Sequence, residues 1–271
     1  MLVINTNIAA DNAVRLLNQT QSKMNTSMER LTSGLRINKT ADDAAGKAVV
    51  QGMTTQIKGT TMAIRNANDG ISLVQTVDGA AQESVNMLQR IRELAVQAAT
   101  DTYSSAQRGQ MNVEVSQLAQ EINRIASTTK FNGVPLMNSA KNVSIWAGWE
   151  NGAGNQLTIS LPKLTVSALG VTKGITTQAS ALATMSLVDK ALSTIATTRA
   201  KYGAMQNRLD YTISNLQNVN QNIMASRSRI QDANFATESA NLAKTQILQQ
   251  AGMSMLAKAN QSQQNVLSLL K

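Results

Sequence analysis

Residues 188–230 read VDKALSTIATTRAKYGAMQNRLDYTISNLQNVNQNIMASRSRI, and within them Val188, Ile195, Tyr202, Leu209, Leu216, Ile223 and Ile230 stand seven apart without a break. A seven-residue apolar repeat draws one stripe along a helix, the pattern of a coiled-coil seam. These seven side chains are therefore the predicted core of a rod. At 1.5 Å per residue the segment spans roughly 65 Å, too long to be wrapped by a compact globule of this size.

The same habit recurs on both sides of this segment. In residues 1–35, Val3, Ala10, Leu17, Met24 and Leu31 share one heptad position, and Val14, Met28 and Leu35 fall four residues after it, with only Asn7 and Gln21 interrupting. From Lys58 to about Ala99 the stripe returns with Ile64, Ala67, Ile71, Val74, Ala81, Val85, Leu88 and Ala95. A third helix is expected over about Gln107 to Ser127, using Met111, Val115, Leu118, Ile122 and Ile125. Leu248, Met255, Ala259, Val266 and Leu269 or Leu270 give the last stripe. The fold class is thus mainly α, with long coiled-coil-like helices from both ends.

Between Phe131 and about Gln178 the texture changes. This window holds both prolines, both tryptophans and six of the fifteen glycines. Val143 and Ile145 alternate with their neighbours, as do Leu157, Ile159 and Leu161, and Asn151-Gly-Ala-Gly-Asn155 lies between them, which predicts a β-hairpin. Gly152-Ala-Gly154 is hairpin turn rather than phosphate loop, because no Lys-Ser or Lys-Thr follows it. Trp146 and Trp149 are read as cover for the small sheet or as a contact with a neighbouring subunit.

Composition restricts the chemistry. Neither cysteine nor histidine occurs, which removes thiolate and imidazole nucleophiles, Cys/His zinc sites and the usual neutral-pH acid/base group. Asp42-Asp43 is the one adjacent acidic pair and is expected to start the following helix. No cofactor, metal or catalytic residue is assigned. The net charge of +9 comes from scattered cations such as Arg90/Arg92, Arg199/Lys201 and Arg227/Arg229 rather than one basic stripe, which favours solvated faces and ion pairs over nucleic acid. The opening Met-Leu-Val-Ile-Asn-Thr-Asn lacks the basic segment of a Sec signal, and no run reaches membrane-spanning length, so no membrane insertion is expected.

The words of the sequence go further than its periodicity. Leu31-Thr-Ser-Gly-Leu-Arg-Ile-Asn38, Ala41-Asp-Asp-Ala-Ala-Gly46, Arg65-Asn-Ala-Asn-Asp-Gly-Ile-Ser72, Leu88-Gln-Arg-Ile-Arg-Glu-Leu-Ala-Val-Gln97 and Phe131-Asn-Gly133 resemble the bacterial flagellins. So do Ser226-Arg-Ser-Arg-Ile-Gln-Asp232, Gln246-Ile-Leu-Gln-Gln-Ala-Gly252 and Asn265-Val-Leu-Ser-Leu-Leu270. The resemblance implies a subunit that polymerises into the flagellar filament for swimming, extracellular and exported through the flagellar type III apparatus. A hook-filament junction protein is the alternative.

It also implies an inner coiled-coil domain of residues 1–42 with 231–271, carrying the self-assembly stripes above. A second domain of residues 43–230 follows, with its hairpin at about 131–178. Outer variable domains are expected to be absent, and Ile145-Trp-Ala-Gly-Trp149 departs from the family's usual wording. The partners implied are further copies of the chain, an export chaperone on the C-terminal segment, and hook-associated and cap proteins. As a monomer the chain is expected to meet host Toll-like receptor 5 through Arg90, Leu94 and Glu114.

Overall fold

The computed structural model describes residues 6–269, with side chains through Ser262. Six helices and two small antiparallel ribbons follow one another: α1 Ile8–Ser33, α2 Ala44–Ala98, α3 Ser105–Thr128, β1 Lys130–Phe131, β2 Val134–Pro135, β3 Lys141–Trp146, β4 Gln156–Leu161, α4 Val166–Leu169, α5 Gln178–Gln231 and α6 Phe235–Leu269. The mainly helical class with one β-hairpin region is as the periodicity predicts.

Contacts divide the chain into two compact units, Met1–Thr55 with Gln221–Lys271, and Gln56–Asn220. Both divisions fall inside the long helices α2 and α5. The expected domain ends fall at the turn that precedes α2, for residues 42/43, and at the last residues of α5, for residues 230/231.

In the second unit, α2 presents Val74, Val77, Ala81, Leu88, Ile91, Ala95 and Ala98, all essentially without exposed surface, at alternating three- and four-residue steps. They meet Val115, Ile122 and Ala126 of α3 and Ala181, Val188, Ala191, Ile195 and Tyr202 of α5 in one core. Alanine recurs on all three faces, which suits close approach of helix axes and explains how a core can form with so little aromatic mass. Ile159 and Leu161 of β4 join the same core, and Leu157 packs in an adjoining cluster with Ala67 and Leu209.

The predicted hairpin forms, with Val143 opposite Ile159 and Ile145 opposite Leu157. Its connection contains a single 3-10 turn, Ala153–Asn155. Trp146 and Trp149 both lie against α2. Asn66 donates to the Trp146 carbonyl at 3.0 Å, and a side chain at Gly59 would place its Cβ only 2.7 Å from the Trp149 Cβ. Polar ties reinforce the helix contacts. Arg199 binds the Asp78 carboxylate at 2.7 and 3.3 Å and also donates to Gln82. Tyr202 donates its hydroxyl to the Ser160 carbonyl at 3.1 Å, and burial pushes its phenol pKa well above the ordinary value.

In the first unit α1 ends at Gly34, whose left-handed conformation (φ 70°) lets its N–H reach the Arg30 carbonyl. The following turn is held by acids. Glu29 accepts from Asn38 and Lys39, and Asp42 accepts from the backbone N–H groups of Asn38 and Lys39. Asp43 alone starts α2, accepting from Gly46 N at 2.8 Å. The expectation that both acids of the pair start this helix is corrected for Asp42, because its oxygen is occupied by the turn behind it.

Candidate functional site

No described helix is long and apolar enough to cross a membrane. The feature that stands out is the pairing of α1 with α6. The two run antiparallel. Leu35 bridges Asp232, and Arg36 N donates to the Gln231 carbonyl at 2.7 Å. Further along, Ser27 Oγ and Arg30 Nη1 donate to Glu238 at 3.0 and 3.1 Å. Gln249 donates to Gln21 at 2.6 Å, and Asn7 donates to the Ala259 carbonyl at 3.3 Å. Glu238 is buried although charged, and its two oxygens are both occupied, as a buried carboxylate requires.

The residues shielded from solvent define the seam. On α1 they are Ala10, Ala13, Leu17, Thr20, Gln21, Met24, Thr26, Ser27, Glu29, Arg30 and Leu31, and on α6 Glu238, Leu242, Thr245, Gln249, Gly252, Leu256 and Ala259. The predicted self-assembly stripe divides between the seam and the surface. Ala10, Leu17, Met24 and Leu31 line the seam, and Leu35 is partly buried beyond the end of α1. Val14 and Met28 do not, remaining 43% and 48% exposed. Ala13, Thr20 and Ser27, three residues after the shared position instead of four, take their place because small side chains let the helices approach.

On α6, Leu248 and Met255 are 48% and 62% exposed, outside the seam, and Ala259 is the member of the predicted set shielded among the described residues. The seam interleaves Glu238, Thr245, Gln249 and Gly252 with Leu242, Leu256 and Ala259, so hydropathy alone marks only part of it. Gly252 faces Leu17 closely enough that an added Cβ would lie 3.0 Å from its Cδ1. A three-four step written in small and polar residues was the available signal. Val3 and Leu270, and the side chains of Val266 and Leu269, lie outside the described residues.

Large apolar side chains also lie outside the seam. Ile8, Val14, Leu16 and Met28 on α1 are exposed, as are Phe235, Ile247, Leu248, Met253 and Met255 on α6. Most of these scatter around their helices, but Val14 with Met28, and Leu248 with Met255, are whole heptads apart and so share a face. Of the predicted rod core, Val188, Ile195, Tyr202 and Leu209 are buried, whereas Leu216, Ile223 and Ile230 are only partly so.

The expected receptor residues form a different patch. Arg90 bridges Glu114 at 2.9 Å and Glu93 at 3.0 Å, all three at the surface. Hydrogen bonding to Glu114, then to Glu93, holds the guanidinium pKa above its ordinary value. Leu94 lies beneath them in the core with 3% of its surface exposed. As a direct surface contact it is therefore corrected: in this conformation it supports α2 from below.

Comparison with known proteins extends the reading. Residues 4–142 match the family described as the bacterial flagellin N-terminal helical region, and residues 185–270 match the bacterial flagellin C-terminal helical region. The chain is 40% identical over its whole length to the whole of a flagellin of Halalkalibacterium halodurans. It is 39% identical, again over the whole of both chains, to flagellin FlaB1 of Treponema pallidum. Among solved structures it is similar to the crystal structure of Bacillus cereus flagellin, with 32% identity, a TM-score of 0.49, and coverage of 56% of this chain and 88% of that one.

Proposed function

Because the chain belongs to the bacterial flagellin family and is a structural subunit that polymerises into the flagellar filament, we propose that α1 and α6 are its assembly element. The observation that carries this is the exposed apolar side chains that share a face on each helix, Val14 with Met28 on α1 and Leu248 with Met255 on α6. One helix partner satisfies only the seam. Neighbouring copies cover the rest, and burial of such side chains stabilises the polymer by about 1.5 to 3 kcal/mol for each large one. Replacing Leu248 and Met255 together by glutamate should leave the helices formed and abolish seeded polymerisation measured by sedimentation. Polymerisation at the wild-type level would refute the assignment.

On this reading residues 1–42 and 231–271 form the inner assembly domain and residues 43–230 the second domain, with no outer domain inserted. The role is structural rather than catalytic. Before export, a chaperone covers the C-terminal strip, which would otherwise be exposed in the cell. Hook-associated and cap proteins meet the assembled ends, and the type III apparatus carries the chain out. Toll-like receptor 5 engages the free subunit through Arg90 and Glu114, with Leu94 holding their helix in position. The hook-filament junction alternative has no observation in its favour.

A further inference from the structure

The α1/α6 seam has an electrostatic imbalance that the chain does not correct internally. A groove of about 440 Å³ opens along it, lined by Lys23, Thr26, Ser27, Arg30, Glu238 and Lys244 among others. Glu238 is fully engaged by Ser27 and Arg30. Lys23 and Lys244, one from each helix, both line the groove, and neither forms an ion pair or side-chain hydrogen bond among the described residues. Two like charges brought onto one groove repel, and antiparallel packing has no need of them. An arriving carboxylate would turn that repulsion into two attractions.

The sequence limits which carboxylate of the terminal helices can arrive. Residues 8–33 and 235–269 contain three acids, Asp11, Glu29 and Glu238. Glu29 is held by Asn38 and Lys39, and Glu238 is buried. Asp11 is exposed and its side chain has no hydrogen-bond or ion-pair partner among the described residues. It stands in the first turn of α1, where the helix dipole favours an acid in any case, but that leaves its outward oxygens available. Asp11 and Lys23 are twelve residues apart on one helix, roughly 18 Å, so Asp11 cannot reach the groove of its own chain.

We propose that the Lys23/Lys244 groove receives Asp11 of a second copy, making a directional contact that sets one terminal helix pair along the next. It rests on the assignment of α1 and α6 as the assembly element and adds to it a polarity. The apolar strips supply adhesion without fixing register, since non-directional burial tolerates sliding. A single acid entering a two-lysine groove fixes it, in the way that complementary charges give specificity more than affinity.

Charge exchange in the full-length chain tests this. Asp11→Lys alone, and Lys23→Glu with Lys244→Glu, should each raise the critical concentration for seeded polymerisation at least about tenfold, and the triple exchange should return it to within about threefold of wild type. Circular dichroism checks that each variant keeps its helix content. A triple variant no better than its parents, or either parent polymerising as wild type, overturns the contact. A chain lacking residues 8–33 separates the two levels. If it polymerises, the assembly assignment itself fails; if it does not and the exchange still gives no rescue, only the Asp11 contact fails. Because the chain has no cysteine, Asp11→Cys with Lys244→Cys gives a second measurement. A lysine-to-aspartate ion pair can hold the two Cα atoms beyond the ~7 Å that a disulfide spans, so a flexible bis-maleimide should link polymer into a covalent ladder and leave dilute monomer unlinked. A polymer that forms without the ladder overturns the proposal.

Discussion

Truncation of Ile195 to alanine should be far more damaging to the free subunit than the same change at Ile223, although both occupy one heptad position of α5. Ile195 has no exposed surface and lies in the core shared by α2, α3 and α5. Removing three of its carbons forfeits about 2.4 kcal/mol of transfer free energy at ~0.8 per methylene. The closed cavity left behind adds a further ~1 kcal/mol, for about 3 to 4 in all. Ile223 is only partly buried, so its transfer loss is about 1 kcal/mol and solvent or neighbouring side chains fill the space. For a domain of this size each kcal/mol moves the midpoint by about 2 to 4 °C, which predicts a fall of roughly 6 to 16 °C for Ile195→Ala. Thermal unfolding of monomer followed by circular dichroism, with urea unfolding at one temperature, measures both variants. Equal destabilisation at the two positions would refute the argument that burial, and not the repeat alone, decides where the rod draws its stability.

Tyr202→Phe removes one buried donor to the Ser160 carbonyl and should cost about 1 kcal/mol in the same urea titration; no change would mean that the hydroxyl adds nothing to the hairpin's attachment. Backbone N–H groups of Lys39 and Asn38 hold the Asp42 pKa below its ordinary value, so its contribution is fully present at neutral pH. It is lost only as pH falls through that lowered value, and a carboxyl titration followed by NMR should find Asp42 below ordinary aspartate. Arg90→Ala with Glu114→Lys should weaken signalling by monomer through Toll-like receptor 5 while intact filament signals poorly in either form; wild-type signalling by the folded double variant would remove both residues from that surface. Limited proteolysis should trim the monomer from both ends to a core near residues 45–230 and spare the filament, and equal protection of the ends in both would count against folding on assembly.

What was legible in the sequence follows the physics of each element. Where burial is deep and apolar, as at Val188, Ile195 and Leu209, the heptad named the buried residues in advance. The hairpin was legible because alternation and a glycine-rich turn are both local signals. The α1/α6 seam was not, since Ala13, Thr20 and Ser27 meet Thr245, Gln249 and Gly252 through shape and hydrogen bonds, which hydropathy does not register. The apolar stripe of α6 at Leu248 and Met255 lies outside the seam. Leu94 stands one helical turn after Arg90, on nearly the same face, so the sequence does not show that the short apolar side chain packs into the core while the long guanidinium reaches out to Glu93 and Glu114.

That arrangement, with small and polar residues interleaved among Leu17, Met24, Leu31, Leu242 and Leu256 inside the pair and further large apolar residues outside it, bears on how durable the subunit is. A seam of Ser27, Glu238, Gln21 and Gln249 fixes which helix pairs with which, but it buries little apolar surface to offset the entropy of ordering two long helices. Stability of the terminal pair then depends on what covers Val14, Met28, Leu248 and Met255, and so on the concentration of neighbours. The second unit is built the other way, with its large apolar residues turned inward around α2 and α5. A chain arranged like this keeps a second unit whose core is covered without neighbours and a terminal helix pair that gains further stability with each neighbour that covers its exposed apolar side chains.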